Sequence, residues 1–163
     1  MSAVQQSVAN PSPAPAPRLG RMHVNDLPEV LVIENDVYPY PWTRGNFLDS
    51  LYSGYETWTL REASGALAGY FLLMLGVDEA HLLNISVRRD LHGQGIGKQL
   101  LDKVADIARE KTMSSVLLEV RPSNERALKV YQRYGFVQIG VRKGYYPAVS
   151  NTREDALVMR YTL

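Results

Sequence analysis

The sharpest chemical feature of this sequence is a glycine-rich segment. Residues 92–97 read HGQGIG and lie between an apolar run that favours a strand and a regular amphipathic helix pattern. Glycines let the backbone turn tightly and approach a ligand, and the free amides at a helix start attract phosphate oxygens. The segment therefore predicts an anion-binding loop, with an ordinary tight turn as the alternative. Its spacing matches neither a dinucleotide-binding fingerprint nor a P-loop.

A carboxylate and a phenol farther along the chain could move protons. Glu119 stands in the apolar run VLLEV, and Tyr131 lies on the apolar face of a predicted helix. If Glu119 faces a cleft, it can act as a general base, and we expect burial to raise its pKa. Tyr131 at the same cleft could protonate a leaving group. The alternatives are a solvated Glu119 on the outer face of its strand and a Tyr131 that packs in the core.

Other classes of chemistry lack the residues that they need. Cysteine is absent, which removes disulfides, thiolate zinc sites and a cysteine nucleophile. The three histidines do not have the spacing of a zinc hydrolase, so we expect no metal. We expect only structural or surface roles for His23 and His81. The nearly apolar run 66–77 is shorter than the ~20 residues that span a bilayer, and the first residues do not resemble a secretion signal. These features predict a cytoplasmic protein without membrane contacts.

The helices that must position these residues have recognisable starts. Asn25 or Asp26 can cap the first helix, Thr43 the second and Asn124 the fourth, while the third follows the glycine-rich loop. Strand-forming runs lie at 21–24, 55–62, 66–75, 80–87, 114–121, 136–147 and 154–163. This order predicts one domain of the α/β class, α+β in type, with a mixed sheet covered by helices.

The ends and halves of the chain differ in composition. Residues 1–18 alternate proline with small residues, which predicts an extended or disordered tail before a folded domain at 19–163. Residues 1–87 carry four basic and nine acidic side chains, whereas 88–163 carry fourteen and eight. This split is either ordinary surface scatter or a sign that the second half faces an anionic ligand while the first attracts a cationic one.

Two segments taken together resemble the GNAT family of N-acetyltransferases. They read RRDLHGQGIGKQLLDKV and LLEVRPSNERALKVYQRYGF, and the glycine-rich loop, strand, asparagine, tyrosine and final Gly-Phe follow in the order and spacing of the family. Further segments, LLNISV, YPYPW and GYYP followed by REDALVM, are similar to the RimI-type branch. The similarity covers about residues 20–163. It implies a GNAT-like domain with a mostly antiparallel sheet of about seven strands and about four helices.

The resemblance also implies roles for individual residues. The backbone of Ile85, Ser86 and Val87 would pair with the pantetheine arm of acetyl-CoA, and the Val87 amide would polarise the thioester carbonyl. Glu119 would be the proton acceptor, Tyr131 the proton donor and Asn124 a cofactor contact. The amides that would cradle the pyrophosphate belong to Gly93, Gln94, Gly95, Ile96, Gly97 and Lys98. His92 departs from the Gln or Arg common at the start of this loop, so we expect at most weaker or pH-sensitive cofactor binding.

The same resemblance implies the acceptor. RimI-type enzymes acetylate the N-terminal alanine of small-subunit ribosomal protein eighteen, so the expected partner is a ribosomal protein N-terminus, with no direct nucleic-acid binding. The YPYPW segment and the loop around Tyr145, Tyr146 and Pro147 are candidate walls of a peptide channel, or else aromatic packing between loops. The alternatives are a GNAT enzyme acting on a lysine or small amine, and a non-catalytic module that senses acyl-CoA.

Overall fold

The structure, a computed structural model, describes residue 10 and residues 16–163, so most of the predicted tail at 1–18 lies outside the described residues. The helices and strands are β1 (Arg18–Arg21), α1 (Leu27–Val37), α2 (Arg44–Tyr52), β2 (Glu56–Arg61), β3 (Leu67–Leu75), β4 (Glu79–Val87), α3 (Ile96–Glu110), β5 (Ser115–Val120), α4 (Glu125–Tyr134), β6 (Val137–Pro147) and β7 (Arg153–Thr162).

These elements confirm the predicted single GNAT-like fold, with four helices and a seven-stranded, mostly antiparallel sheet. The strand order is β1-β2-β3-β4-β5-β7-β6, and β4 and β5 form its parallel pair. The first strand was predicted at 21–24 but lies at Arg18–Arg21, because these residues pair with Arg61 to Trp58 of β2. The short run has little strand pattern of its own, and its partner determines where it forms.

Two apolar layers hold the sheet between the helices. Helices α1 and α2 pack on one face through Leu27, Val30 and Phe47, which cluster with Tyr70 of β3. Helices α3 and α4 pack on the other face, where the buried side chains include Leu100, Leu101, Val104, Leu118, Phe136 and Met159. Burying a side chain of this size contributes roughly 1.5–3 kcal/mol. Helices therefore cover both faces of the sheet, including β4 and β5.

Local sequence signals account for the starts of α2 and α4, whereas Asp26, the predicted cap of α1, makes no side-chain cap bond to the described residues of that helix. The Thr43 hydroxyl accepts from the Asn46 amide at 3.2 Å, and Asn124 Oδ1 accepts from the Ala127 amide at 3.3 Å. Both are side-chain caps of the first turn, as the sequence predicts. Among the described residues, no helix is both long enough and apolar enough to cross a bilayer.

The sheet opens between β4 and β5. Their parallel pairing runs from Glu79 to His81 on β4 and ends there, although β4 continues to Val87. Leu72 and Leu73 of β3 pair with Asn84 and Leu82, so Leu83 is an extra residue in β4. This bulge bends the strand and reverses which side chains face each layer. A wedge-shaped gap between two adjacent strands results, and both candidate cavities border it.

Candidate active site

The larger cavity lies between the end of β4, the start of α3 and one face of α4. Its volume is about 560 Å³. Gly93 and Gly95 adopt φ values of +79° and +82°, and Gly95 is the residue that caps α3. Residues with a Cβ rarely adopt this left-handed conformation, which explains why glycines stand here. The loop therefore brings backbone and the free amides of a helix start to one wall of the cavity.

Most of the predicted cofactor residues line this larger cavity. They are Ile85, Ser86, Val87, Gly93, Gly95, Ile96, Gly97, Lys98 and Asn124. Gln94 is the exception, because it is not part of the wall and its side-chain amide lies 3.4 Å from the Asp90 carbonyl. Two basic side chains that the sequence analysis did not single out, Arg126 and Arg133 of α4, also line it. Their cationic groups suit an anionic ligand.

Two side chains hold the carbonyl groups near the end of β4. The Tyr38 hydroxyl donates to the Ile85 carbonyl at 2.6 Å and accepts from the Ser86 hydroxyl at 3.0 Å. His92 Nε2 lies 2.8 Å from the Val87 carbonyl oxygen. The unusual His92 of the loop is thus tied to the strand that the loop follows. Tyr38, which directly follows α1 and was not singled out from the sequence, also lines this cavity.

A smaller cavity of about 240 Å³ meets the first one. Its walls include Tyr40, Trp42, Tyr146 and Pro147, from the two aromatic segments that the sequence analysis noted. Tyr145 is not part of this wall. Four residues line both cavities, namely Tyr38, Ile85, Asn124 and Tyr131. The junction is therefore a place where a group held in one cavity can reach a group held in the other.

A buried carboxylate fixes the loop that carries Trp42. Glu34 of α1 accepts from the Tyr70 hydroxyl at 2.5 Å, from Asn84 Nδ2 at 3.1 Å and from the Trp42 amide at 3.0 Å. Burial raises the pKa of Glu34, and these hydrogen bonds only partly counter it. The β4 bulge turns Asn84 towards Glu34, so one network joins α1, the sheet and the aromatic loop.

Arg121 links the two aromatic walls. Its guanidinium lies 4.7 Å from the ring centre of Tyr40 and 4.3 Å from that of Tyr146. It also donates to the Pro147 carbonyl at 2.8 Å and pairs with Glu154 at 3.2 Å. Cation–π contacts and hydrogen bonds thus join the loop after α1 to the β6–β7 hairpin. Arg121 therefore holds the two aromatic walls of the small cavity together.

Glu119 faces the small cavity from β5. Its side chain is 11% exposed, its Oε2 lies 2.5 Å from His81 Nε2, and its Oε1 lies 3.7 Å from Arg142 Nε. Burial by itself raises the pKa of Glu119, but the hydrogen bond and charge of His81 and the charge of Arg142 outweigh it, so the pKa is lowered. The predicted raised pKa was therefore wrong, because the sequence does not reveal these cationic neighbours.

His81 has a partner that the sequence does not reveal. We expected a structural or surface residue without a partner, whereas its imidazole contacts Glu119, 38 residues away. Strand alternation places both side chains on the same face of the sheet, but no local signal indicates that the two strands are neighbours. The contact is visible only once the sheet order is known.

Tyr131 faces both cavities from α4. Its ring packs against Phe136 with the ring centres 5.7 Å apart, and among the described residues its hydroxyl has no hydrogen-bond partner. Burial raises the pKa of Tyr131 well above the ordinary range, and nearby Tyr38 and Tyr146 raise it further. The phenol therefore keeps its proton at every pH at which the protein would work.

The acidic residues of the first half do not form a free acidic face. Six of the nine pair with arginines and Glu34 is buried. The six are Asp26, Glu29, Asp36, Glu56, Glu62 and Glu79. Paired charges largely cancel at a distance, so this surface gives little support to the idea that the first half attracts a cationic partner.

Comparisons with known proteins agree with this geometry. Residues 27–136 match the model of the acetyltransferase (GNAT) family. The chain is 32% identical over 141 residues to the [ribosomal protein bS18]-alanine N-acetyltransferase of Escherichia coli K12, covering 86% of this chain and 94% of that protein. It is 33% identical over 143 residues to a putative enzyme of the same description from Bacillus subtilis 168, covering 87% and 93%.

Solved structures give the same result for the fold. The crystal structure of the ribosomal-protein-S18-alanine N-acetyltransferase from E. coli superposes with a TM-score of 0.80 at 31% identity, covering 90% of this chain and 93% of that one. Ard1 from Thermoplasma volcanium superposes with a TM-score of 0.81 at 25% identity, covering 91% and 98%. With the glycine-rich loop, the opened strand pair and the match over most of its length, this chain belongs to the GNAT acetyltransferase family.

Proposed function

We propose that this chain transfers an acetyl group from acetyl-CoA to the N-terminal α-amine of a protein, with the N-terminal alanine of ribosomal protein bS18 as the candidate acceptor. One observation carries the proposal. A carboxylate from β5 and a protonated phenol from α4 line a cavity with aromatic walls, and the phenol also lines the adjoining cavity built on a glycine-rich helix start. A base and an acid thus share one binding space, and the acid also borders the other.

The larger cavity suits acetyl-CoA in its chemistry. Loop amides and the start of α3 can bind the pyrophosphate, and Arg126 and Arg133 add positive charge to the wall, whereas the Lys98 ammonium pairs with Asp102 at 2.9 Å. Within the described part of the chain, the backbone of β4 from Ile85 to Val87 has no strand partner on the side of the gap, so it can pair with an extended arm. Asn124 would contact the arm near the junction. Acetyl-CoA, when bound, supplies an activated thioester.

Within this proposal the side chains at the junction move two protons. Glu119 accepts a proton from the acceptor amine, directly or through water, and Tyr131 donates its proton to the departing thiolate. An amine nitrogen becomes strongly acidic as its bond to the acetyl carbon forms, so a carboxylate with a lowered pKa can still take its proton. The Val87 amide can polarise the carbonyl oxygen. No covalent bond to the enzyme is required.

The choice of an N-terminal amine rests on two supports. An α-amine has a reference pKa of ~8 against ~10.4 for lysine, so a carboxylate that is a weak base activates an N-terminus far more easily. Relatives at 32–33% identity over most of the chain are described as acting on the alanine of bS18. The aromatic walls around Tyr40, Trp42 and Tyr146 offer apolar surface for the first residues of a peptide.

A peptide panel tests the proposal. The protein is incubated with acetyl-CoA and with three peptides: the bS18 N-terminus beginning with alanine, the same peptide blocked at its α-amine, and a blocked peptide offering one lysine. We expect CoA release and a mass gain of one acetyl group with the first peptide alone. Acetylation of the lysine peptide would show that the acceptor is a lysine side chain and not an N-terminal amine. Tight binding of acetyl-CoA without transfer to any amine, including small amines, would favour a sensing module.

The loop conformation gives a second prediction. Gly95→Ala is expected to weaken acetyl-CoA binding by roughly five- to thirtyfold, because a left-handed residue with a Cβ costs about 1–2 kcal/mol and the loop relaxes away from its binding geometry. Isothermal titration calorimetry measures the Kd. The matched control is Gly20→Ala in β1, where an added Cβ meets no atom of the described residues within 4 Å. A Kd for Gly95→Ala within twofold of wild type would contradict the role of the loop.

A further inference from the structure

His81 and Glu119 form a pair at the point where the sheet opens. His81 is the last residue of β4 that pairs with β5, and its backbone partner is Leu117. Its imidazole reaches past that residue to Glu119, so Nε2 and Oε2 lie 2.5 Å apart. Side-chain contact thus continues across the gap where the backbone ladder stops. The two side chains are 25% and 11% exposed, so the pair is largely shielded while the imidazole keeps an accessible edge.

The two members face different surroundings. Glu119 belongs to the wall of the small cavity, whereas His81 does not. An acceptor amine in that cavity would therefore meet the carboxylate, with the imidazole behind it. Because Oε2 is occupied by His81, Oε1 is the oxygen left for the amine, and Arg142 Nε lies 3.7 Å from it.

Among the charged and titratable groups that contact the pair, one is a candidate for a change of charge near neutral pH. Glu34 lines the same cavity and has a raised pKa, but its hydrogen bonds run to Tyr70, Asn84 and Trp42 and not to the pair. Arginine is always protonated in proteins, so the charge of Arg142 is constant. Burial, with the charge of Glu119 next in size, raises the pKa of Tyr146 to about 12, so this phenol stays neutral. Histidine is the side chain that changes charge between pH 5 and 8. The remaining charged neighbours pair with each other, in the couples Arg160–Glu79 and Arg121–Glu154.

We propose that His81 is a positioning residue that holds Glu119 for proton transfer when its imidazole is neutral and weakens Glu119 as a base when its imidazole is protonated. In the neutral form, Nε2–H donates to Oε2 and fixes the carboxylate with Oε1 towards the cavity. Protonation adds one solvent proton at Nδ1 and leaves Glu119 ionised. The inference rests on the proposed function, because it takes Glu119 as the proton acceptor.

Two effects of the added charge lower the rate in acid. The imidazolium and Arg142 together stabilise the carboxylate, which lowers its affinity for the proton of the amine. The same two cations also oppose the approach of an ammonium group to the cavity. The contribution of His81 to the lowered pKa of Glu119 agrees with this direction. Activity should therefore fall as His81 becomes protonated, in addition to any fall caused by protonation of the acceptor amine.

The kinetic test separates His81 from the acceptor amine. We would measure kcat from pH 5.5 to 8.5 for wild type, His81→Gln and His81→Ala with saturating acetyl-CoA and the alanine-terminal peptide. Dividing the kcat of each variant by the wild-type kcat at the same pH cancels the effect of peptide titration. Glutamine keeps a donor but cannot titrate, so the His81→Gln ratio should rise about three- to tenfold as the pH falls from 8.5 to 5.5. His81→Ala lacks the donor and should be less active than His81→Gln at pH 8.5.

His23→Gln is the matched control, because His23 is exposed, lies before α1 and lines neither cavity. The ratio of its kcat to the wild-type kcat should not change with pH. A flat ratio for His81→Gln as well would overturn the inference, since a merely structural histidine would lower activity equally at every pH. Thermal melting of each variant identifies a loss of folding.

A second measurement needs no substrate. The ring resonances of His81 are compared by NMR in wild type and in Glu119→Gln. Removing the carboxylate removes the negative charge beside Nε2, so these resonances should differ between the two proteins. Unchanged ring resonances would overturn the pairing. If the wild type transfers acetyl to no amine, the proposed function fails together with the kinetic role of His81. If the wild type turns over but the ratio of the His81→Gln kcat to the wild-type kcat does not change with pH, only the role of His81 is contradicted.

Discussion

Glu119→Gln is expected to lower kcat by about 10²–10⁴-fold, the range typical for loss of a general base. Glutamine has nearly the same shape as glutamate and can still accept from His81 through its carbonyl oxygen. It cannot take up a proton from the amine. The packing of β5 should therefore survive while the proton transfer is lost. Steady-state CoA release with the alanine-terminal peptide, under saturating acetyl-CoA, measures the change.

The pH dependence of this loss follows from the sign of the pKa shift. His81 and Arg142 lower the pKa of Glu119, although burial opposes them, so the carboxylate is ionised throughout pH 6–9. The fraction of ionised Glu119 is then constant, and the factor lost in Glu119→Gln should vary only with the state of His81. A lowered pKa also means that ionised Glu119 stabilises the fold at neutral pH and that this stabilisation is lost as the pH falls through the lowered value.

Glu110→Gln serves as the control, because Glu110 is an exposed carboxylate at the end of α3. It removes the same charge without touching either cavity and should leave kcat at the wild-type level. If Glu119→Gln keeps kcat within about threefold of wild type, another group takes the proton. The assignment of Glu119 would then be wrong even if acetyl transfer occurs.

Tyr131→Phe is expected to lower kcat by about 10²-fold, at the lower end of the range for a general acid. We expect the lower end of that range because a thiol has a reference pKa of ~8.5, so its thiolate can leave without full protonation. Phenylalanine keeps the ring packed against Phe136 and removes only the hydroxyl. The Kd for acetyl-CoA should change little. The measurements are kcat for the peptide and calorimetry for the co-substrate.

The raised pKa of Tyr131 gives this prediction a pH signature. The phenol stays protonated to high pH, because burial and its tyrosine neighbours disfavour the phenolate. The loss in Tyr131→Phe should therefore be the same at pH 7 and pH 9. Tyr52→Phe is the control, since the Tyr52 side chain lies exposed on α2 and should not affect turnover. A loss in Tyr131→Phe that disappears at pH 9, or none at all, would rule out Tyr131 as the proton donor.

The sequence by itself determined the features that depend on neighbouring residues. Glycines at 93 and 95 predict the loop because its backbone requires positive φ, and Thr43 and Asn124 predict helix starts because their side chains cap the next turn. Alternation and helical periodicity predict seven strands and four helices within a few residues. Only β1 moved appreciably, since a short edge strand forms where its partner lies.

The tertiary structure decided everything that depends on which strands are neighbours. The extra residue at Leu83 is set by its register with β3, and it turns Asn84 towards Glu34, 50 residues away. The parallel pairing of β4 and β5, and the point where it ends, brings His81 to Glu119. The direction of the Glu119 pKa shift follows from that contact and not from burial. A periodic pattern states which face a side chain occupies, whereas pKa and proton transfer depend on the groups a few ångströms across that face.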